Sequence, residues 1–397
     1  MDSGEFIPLD TGQAKLHLRA GGLRLDAYVE GLSEVERALY TAQRERHCHY
    51  AGPLAGWQPG TFNTDDGRRV LVTSGPKMPV PKKGPVPWFD RFLGELLGGE
   101  QGQHFCLWLA SALATQKSGS FRPGQLVALC GPSGCGKSLL QYIVTAALGG
   151  RSASPYLYMV GETSFNADLA QAEHWQIEDR ASSTDIRTRR KFGAALKEAV
   201  VNRELSVHAK GRQAVTLPTF RRVTLSTNDE PENLMILPPL DESIADKVCL
   251  YQCTVASVGE DRAKTWANVV KELPAFIAGC LALRVPAKWQ CARYGVKAFH
   301  HPALLETLTA ASPEVRLLTL IDEIAFANNK HVEPWIGTAA QLERQLLGSA
   351  FGHAASKLLY FSTATSVYLA RLASRMPARV QSERKKDKAA VWTICAP

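Results

Sequence analysis

The chain has 397 residues, 45 % hydrophobic and 21 % charged, a globular composition with length for two or three domains. No window approaches the ~20 consecutive apolar residues of a membrane span, and the opening MDSGEFIPLD has neither the basic flank nor the apolar run of a secretory leader. Nine scattered cysteines without a C-x-x-C pair argue against a disulfide framework and point to a reduced, cytoplasmic compartment.

Residues 1–75 mix short strand-like and helical pieces. The HCHY run at 47–50 has no second ligand cluster at zinc spacing, so surface or packing histidines are the simpler reading. Residues 74–88 then carry five prolines, too many for a helix interior, and read as an extended connector. FDRFLGELL (89–97) and HFCLWLASALATQ (104–116) have helical spacing. Strand-like pieces follow at LVALC (126–130), YLYMV (156–160), HWQIED (174–179) and RRVTLSTN (221–228), with helical stretches between them. That alternation predicts an α/β fold with a mostly parallel sheet. VCLYQC places Cys249 and Cys253 on a buried strand rather than in a metal site. Beyond about residue 257 the chain becomes mainly helical. The expected organisation is an N-terminal region and connector over 1–100, a P-loop core over 101–256, a helical region over 257–334 and a C-terminal module over 335–397.

Gly131-Pro132-Ser133-Gly134-Cys135-Gly136-Lys137-Ser138 matches G-x-x-x-x-G-K-[ST] in full, between an apolar strand and a helix-compatible run. The glycines let backbone N–H groups turn inward on phosphates. Lys137 is expected at the β and γ phosphates of ATP and the Ser138 hydroxyl on Mg²⁺. Hydrolysis also needs carboxylates for metal and water, and Glu178 and Asp179 end the HWQIED piece. Their division of labour stays open, and Gln176 interrupts the apolar run before them. In RRVTLSTND, Asn228 stands at a strand tip, where an amide can bond the γ-phosphate or the lytic water.

Charge is concentrated: residues 187–222 hold ten Lys or Arg against two Glu, net +8 in 36 residues, so the rest of the chain sums to zero. Such a cluster suggests a polyanion, or else a solvated helix face. Within it, LSVHA and QAVTLPTF flank Lys210-Gly211-Arg212, a hairpin signal with a basic tip suited to gripping phosphates.

The order of phosphate loop, acidic strand, basic hairpin and strand ending in Asn resembles the superfamily 3 helicases. These are AAA+-type ATPases of DNA viruses, phages and mobile elements. In particular the chain is similar to the helicase part of poxvirus- and phage-type primase–helicases. GWQPGTF, RRVLVTSGPKMPVPKKG and the WLA of HFCLWLASALA look like the segment that precedes that core, so the resemblance covers roughly residues 50–260. It implies a homo-hexameric ring around one DNA strand with ATP between subunits. It also implies strand contacts at Lys210 and Arg212, with His208 beside them. The chain departs from the family pattern after the sensor strand, where many relatives carry arginines. Lys247, or one of Arg187, Arg189 and Arg190, is then the candidate trans-acting finger. No primase domain is apparent, which implies a separate primase or replication initiator.

At the C-terminus, 337–348, 354–361 and 364–377 read as three helices, and 378–394 as two strands around a charged turn. Residues 371–388 hold seven Lys or Arg against two acids. This looks like a winged helix, with Arg384, Lys385 and Lys386 in the wing against duplex DNA. The sequence reading is therefore an ATP-dependent DNA helicase or translocase acting on single-stranded DNA in replication of a phage, plasmid or integrated element, without membrane contact. Its rivals are an ATP-controlled DNA-binding switch without unwinding and a protein-remodelling AAA+ ATPase of a defence or assembly system. A peptide channel more often carries an aromatic loop, and nothing resembles the substrate lid of a metabolic kinase.

Overall fold

The structure is a computed structural model that describes residues 6, 9–178, 186–211, 213–238, 240–259, 261–310, 312–326, 333–383 and 389–397. The chain forms two compact units, residues 1–301 and 302–397.

The first unit begins with two capped helices, α1 (Thr11–Ala20) and α2 (Glu34–Glu45). A three-stranded sheet of β1 (Tyr50–Gly52), β2 (Gly60–Asn63) and β3 (Arg69–Val72) follows, with β3 central. The proline-rich segment is extended, as its composition predicts, and it is also fixed to the unit. Lys77 N donates to Gly149 O at 3.1 Å and Lys82 N to Pro274 O at 3.1 Å. Helix α3 (Pro87–Ser118) contains Gly98 at φ 71°, a left-handed angle that bends it into the two helical segments read from the sequence.

Next come β4 (Leu126–Cys130), α4 (Lys137–Ala147), β5 (Ser152–Ala153), α5 (Tyr156–Met159), β6 (His174–Ile177) and α6 (Ile186–Val201). They are followed by β7 (Glu204–Val207), β8 (Val215–Pro218), β9 (Arg222–Thr227), β10 (Val248–Gln252) and α7 (Arg262–Ala282). Five of these strands form one parallel sheet in the order β10-β4-β9-β6-β5. LVALC and RVTLST are buried along their whole length, as expected of central parallel strands covered on both faces.

One expected strand is a helix instead: YLYMV forms α5, and the edge strand is Ser152–Ala153. Its apolar residues favour a strand, but Pro155 stands at the helix N-cap and Gly161, at φ 80°, follows its end. The helical region expected over 257–334 is divided: α7 belongs to the first unit, and the helices after residue 301 belong to the second, whose boundary therefore lies at 301/302 and not at 334/335. Phe276 of α7 stacks on Phe89 of α3 at 4.1 Å. Glu272 of α7 accepts from Trp88 N at 3.0 Å and Phe89 N at 3.3 Å, so it caps a helix that has no side-chain cap of its own.

The second unit contains α8 (Pro302–Ala310), α9 (Pro313–Ala325), β11 (Trp335–Thr338), α10 (Ala339–Leu347), α11 (Gly352–Leu358), α12 (Ala364–Arg375), β12 (Val380–Glu383) and β13 (Val391–Ile394). The three strands form an antiparallel sheet in the order β11-β13-β12. Leu317, Ile321, Leu342, Leu346, Tyr368, Leu372, Trp392 and Ile394 share its core. Glu314, only 1 % exposed, is held by Arg375 Nη1 at 2.9 Å and ties α9 to α12. No helix among the described residues is long and apolar enough to cross a membrane.

A buried polar chain joins α4 to the sheet. Thr145 Oγ1 and His174 Nδ1 are 2.7 Å apart, and His174 Nε2 lies 2.8 Å from Thr224 Oγ1. Gln141 Nε2 donates to Thr224 Oγ1 at 2.8 Å, and Gln176 Nε2 to Thr145 Oγ1 at 3.0 Å. Thr145 donates its own proton to Gln141 O, so His174 donates from Nδ1 and accepts at Nε2. That arrangement fits the neutral ring, which burial favours by pushing its pKa down to about 3. Burial likewise pushes His104 down to about 4. The unfolded chain takes up these protons near pH 6.5, so the stability they confer is complete above 6.5 and is lost as pH falls toward 4 and 3. Stability is therefore expected to drop by about 2 kcal/mol per histidine between pH 6.5 and 5. Urea midpoints across that range should fall in the wild type and fall less steeply in His174→Gln. Midpoints that stay constant in the wild type contradict this assignment.

Candidate functional site

The register of the parallel sheet builds the site. Cys130 of β4 is level with Thr227 of β9 and Gln252 of β10. Gly131, Asn228 and Cys253 therefore leave three adjacent strands side by side. Gly131 N donates to Thr227 O at 3.2 Å, and Cys253 N to Cys130 O at 2.6 Å. A Cβ at Gly131 would lie 2.3 Å from the Cys253 carbonyl oxygen, so this close approach requires glycine. Gly134 (φ 74°) and Gly136 (φ 115°) turn the loop back into α4.

Lys137 opens α4 and is 7 % exposed. Its Nζ donates to Gly131 O at 2.6 Å and Pro132 O at 2.8 Å, and lies 3.4 Å from Asn228 Oδ1. The ammonium is thus seated between the loop and the tip of β9. Pro132, Ser133, Gly134 and Ser138 are exposed, and Cys135 is buried. The Cys253 thiol and, more weakly, the Lys137 ammonium hold the Cys135 thiol down at about 6, while that of Cys253 is pushed up.

A cleft of ≈ 730 Å³ opens over this loop and is lined by residues 133–138, Glu178, Ser226 and Asn228. The structure thus brings Lys137, Ser138, Glu178 and Asn228 to one cavity, at the amino end of an 11-residue helix whose free N–H groups favour an anion. Asp179 lies outside the described residues. Gln176, which breaks the apolar run, is accounted for by its bond to Thr145.

The sequence reading missed Tyr142, Arg262 and Trp266, which line the same cleft. Tyr142 and Trp266 are 49 % and 39 % exposed, large rings in the lining of the cleft. Arg262 stands in the first turn of α7, whose N-cap Asp261 accepts from Lys264 N at 3.0 Å. The Asp-Arg-Ala-Lys run is a helix-start signal. It fixes where α7 begins, but not that this end meets the loop.

The basic hairpin is present as a separate antiparallel pair, β7 with β8. Its loop holds His208 and Lys210, with Gly211 at φ 74°; Arg212 is outside the described residues. Buried Asn166 clamps the hairpin, donating to Ser206 O at 2.8 Å and accepting from His208 N at 2.7 Å. Lys210 is exposed. His47 and His49 lie beside this loop in a groove of ≈ 560 Å³ that Arg68 and Gln213 also line. Among the described residues no group of three or more His, Cys, Asp and Glu could hold a metal ion.

Part of the basic cluster belongs to the fold rather than the surface. Arg189, Arg221 and Arg222 are buried. Arg189 Nη2 donates to Leu237 O at 2.9 Å and Arg221 Nε to Ala199 O at 2.8 Å. Burial lowers Arg221 to about 10 and Arg222 to about 9. The finger candidates divide in the same way. Lys247 is buried and paired with Asp246 at 2.6 Å, and Arg189 is buried as well. Arg190 is exposed on α6, and nothing is described of the Arg187 side chain. Arg384, Lys385 and Lys386 lie outside the described residues, between β12 and β13.

With this geometry in view, the chain can be set beside known proteins. Residues 129–242 match a family described as of unknown function, DUF5906. No curated protein matches. Among solved structures, the apo C-terminal region of NrS-1 (305–718) is similar with TM-score 0.53 and 14 % identity, covering 88 % of this chain and 85 % of that one. The A form of the apo NrS-1 C-terminal region gives TM-score 0.52 and 12 % identity over 96 % and 98 % of the two chains. Both likenesses concern the fold. The SCCmec type IV Cch helicase aligns over 92 % of this chain and 64 % of its own at 12 % identity, with TM-score 0.29, too low to bear on the argument.

The tight approach at Gly131 yields a direct expectation. Gly131→Ala should lower stability by roughly 1–3 kcal/mol, because its Cβ meets backbone rather than a flexible side-chain end. Thermal unfolding of this variant beside Gly134→Ala separates the close approach from φ strain. A Gly131→Ala protein as stable as wild type contradicts the loop geometry.

Proposed function

We propose that the chain is an ATP-dependent DNA helicase or translocase acting on a single strand in the replication of a phage, plasmid or integrated element. The observation that carries this reading is the convergence of Lys137, Ser138, Glu178 and Asn228 on one cleft, in the same unit as a clamped hairpin with an exposed lysine. The order of these pieces, and the sheet order, support an AAA+-type arrangement of the superfamily 3 kind.

In this reading Lys137 and the α4 amino end hold the β and γ phosphates of ATP. The exposed Ser138 hydroxyl and Glu178 carboxylate are hard oxygen donors that fit Mg²⁺, with Asp179 as the further carboxylate. When bound, Mg²⁺ offsets charge on the phosphates. Asn228, beside the Lys137 ammonium, orients the attacking water, and Glu178 or Asp179 draws its proton. Tyr142 and Trp266 offer faces for the adenine, and Arg262 a cation from α7. Arg190 remains a candidate finger for a neighbouring subunit of a homo-hexamer. His208, Lys210 and Arg212 contact the DNA backbone.

In the second unit, the succession of β11, three helices and the β12–β13 pair supports a winged-helix module, with Arg384, Lys385 and Lys386 in its wing. That module is the feature favouring the rival reading, a DNA-binding switch that hydrolyses ATP without unwinding.

The variants Lys137→Ala and Lys210→Ala/Arg212→Ala test the assignment. Lys137→Ala should remove ATP hydrolysis while leaving the fold intact, as read by circular dichroism. The double variant should keep basal hydrolysis and bind a single strand more weakly, with the salt slope shallower by about 1.4. Basal hydrolysis lost in the double variant would make the hairpin part of the ATP site.

A further inference from the structure

A third cavity, of ≈ 280 Å³, is lined by residues just before β4 and β9, at the end of these strands opposite the phosphate-loop cleft. Its walls include Trp57, Phe62, Phe121 and Phe220, brought from three distant stretches of chain. The walls are fixed. Trp57 Nε1 donates to Pro218 O at 2.8 Å, and its ring meets Phe62 edge-on at 4.9 Å. Gly56 has φ 81°, and a Cβ there would lie 2.4 Å from Phe220 Cβ, so glycine alone lets Phe220 close on this wall. Gly56 N donates to Glu173 Oε1 at 2.9 Å, and fully buried Glu173 is paired with Arg151.

Two polar features accompany the rings. Gln116 lines the cavity and is 9 % exposed; its amide nitrogen donates to Leu148 O at 3.0 Å, and its amide oxygen has no hydrogen-bond partner. Arg203, exposed, also lines the cavity. An aliphatic side chain would use the rings only. A planar ring with a phosphate attached would use the rings and the guanidinium together. Position narrows the source of such a group. Pro218 ends β8, the strand that leads directly out of the basic loop, and its four residues span only about 13 Å.

We infer that this cavity receives an unpaired base of the strand engaged by the Lys210 loop, stacked among Trp57, Phe121 and Phe220 with its phosphate toward Arg203. The inference rests on the single-strand reading above and adds a base-holding subsite remote from the nucleotide cleft. Its recognition is by ring stacking, and so tolerates different bases.

The test is anisotropy binding of the full chain to two labelled oligonucleotides of equal length at one fixed salt concentration. One is oligo-dT and the other has the same backbone with abasic sites. Wild type should bind oligo-dT about tenfold more tightly than the abasic strand. Phe121→Ala, at a 40 % exposed position, should remove most of that preference while leaving the thermal midpoint near that of wild type. Lys210→Ala should weaken both strands while keeping the preference. Equal wild-type binding of the two strands, or a preference unchanged in Phe121→Ala, overturns the base site while leaving the single-strand reading intact. Failure to bind either strand overturns both.

Discussion

The parallel pairing of β4 with β9 and β10 is the constraint on which the rest of the molecule depends. Cys130, Thr227 and Gln252 end their strands at one level, so the chain emerges at Gly131, Asn228 and Cys253 along a single rim. Side chains alternate along a strand, so a slip of one residue would turn Asn228 away from Lys137 and exchange the side chains that pack on the two buried faces of LVALC and RVTLST. The register is held from both sides. Gly131 meets Cys253 so closely that no Cβ fits, and the chain of Gln141, Thr224, His174 and Thr145 locks α4 over β9 and β6.

From that rim the chemistry follows. The helix amino end gives an anion site, Lys137 stands at its floor, and Glu178 and Asn228 arrive from neighbouring strands. The edge strand and short helix that follow α4 do not enter the cleft. The hairpin of β7 and β8 occupies the connection between α6 and β9, so a load on its loop bears directly on the strand that ends in Asn228. Thirteen residues of continuous chain, 215 to 227, join the hairpin loop to the strand tip at Asn228.

Much of the cleft over the Gly131–Ser138 loop is legible in the sequence because its signals are local. Glycines at fixed spacing, an apolar strand before them and a polar strand tip at Asn228 can each be read within ten residues. Tyr142, Arg262 and Trp266 were not legible, because no local pattern says that α7, over a hundred residues further on, returns to the loop. The same holds for the aromatic cavity, whose walls are joined only by folding. The charge run at 187–222 is partly internal: Arg189, Arg221 and Arg222 donate to backbone carbonyls inside the unit, which composition cannot distinguish from an exposed face. YLYMV was misread because its strand-forming residues outweighed Pro155 and Gly161, the punctuation that makes it a single helical turn.

The most direct measurement is the rate of ATP hydrolysis with and without single-stranded DNA at fixed low salt, in wild type and Lys137→Ala. The account predicts several-fold stimulation by the strand in wild type and no hydrolysis in the variant under either condition. Hydrolysis that depends on Lys137 but is indifferent to DNA would contradict the coupling of cleft to hairpin and favour the DNA-binding switch.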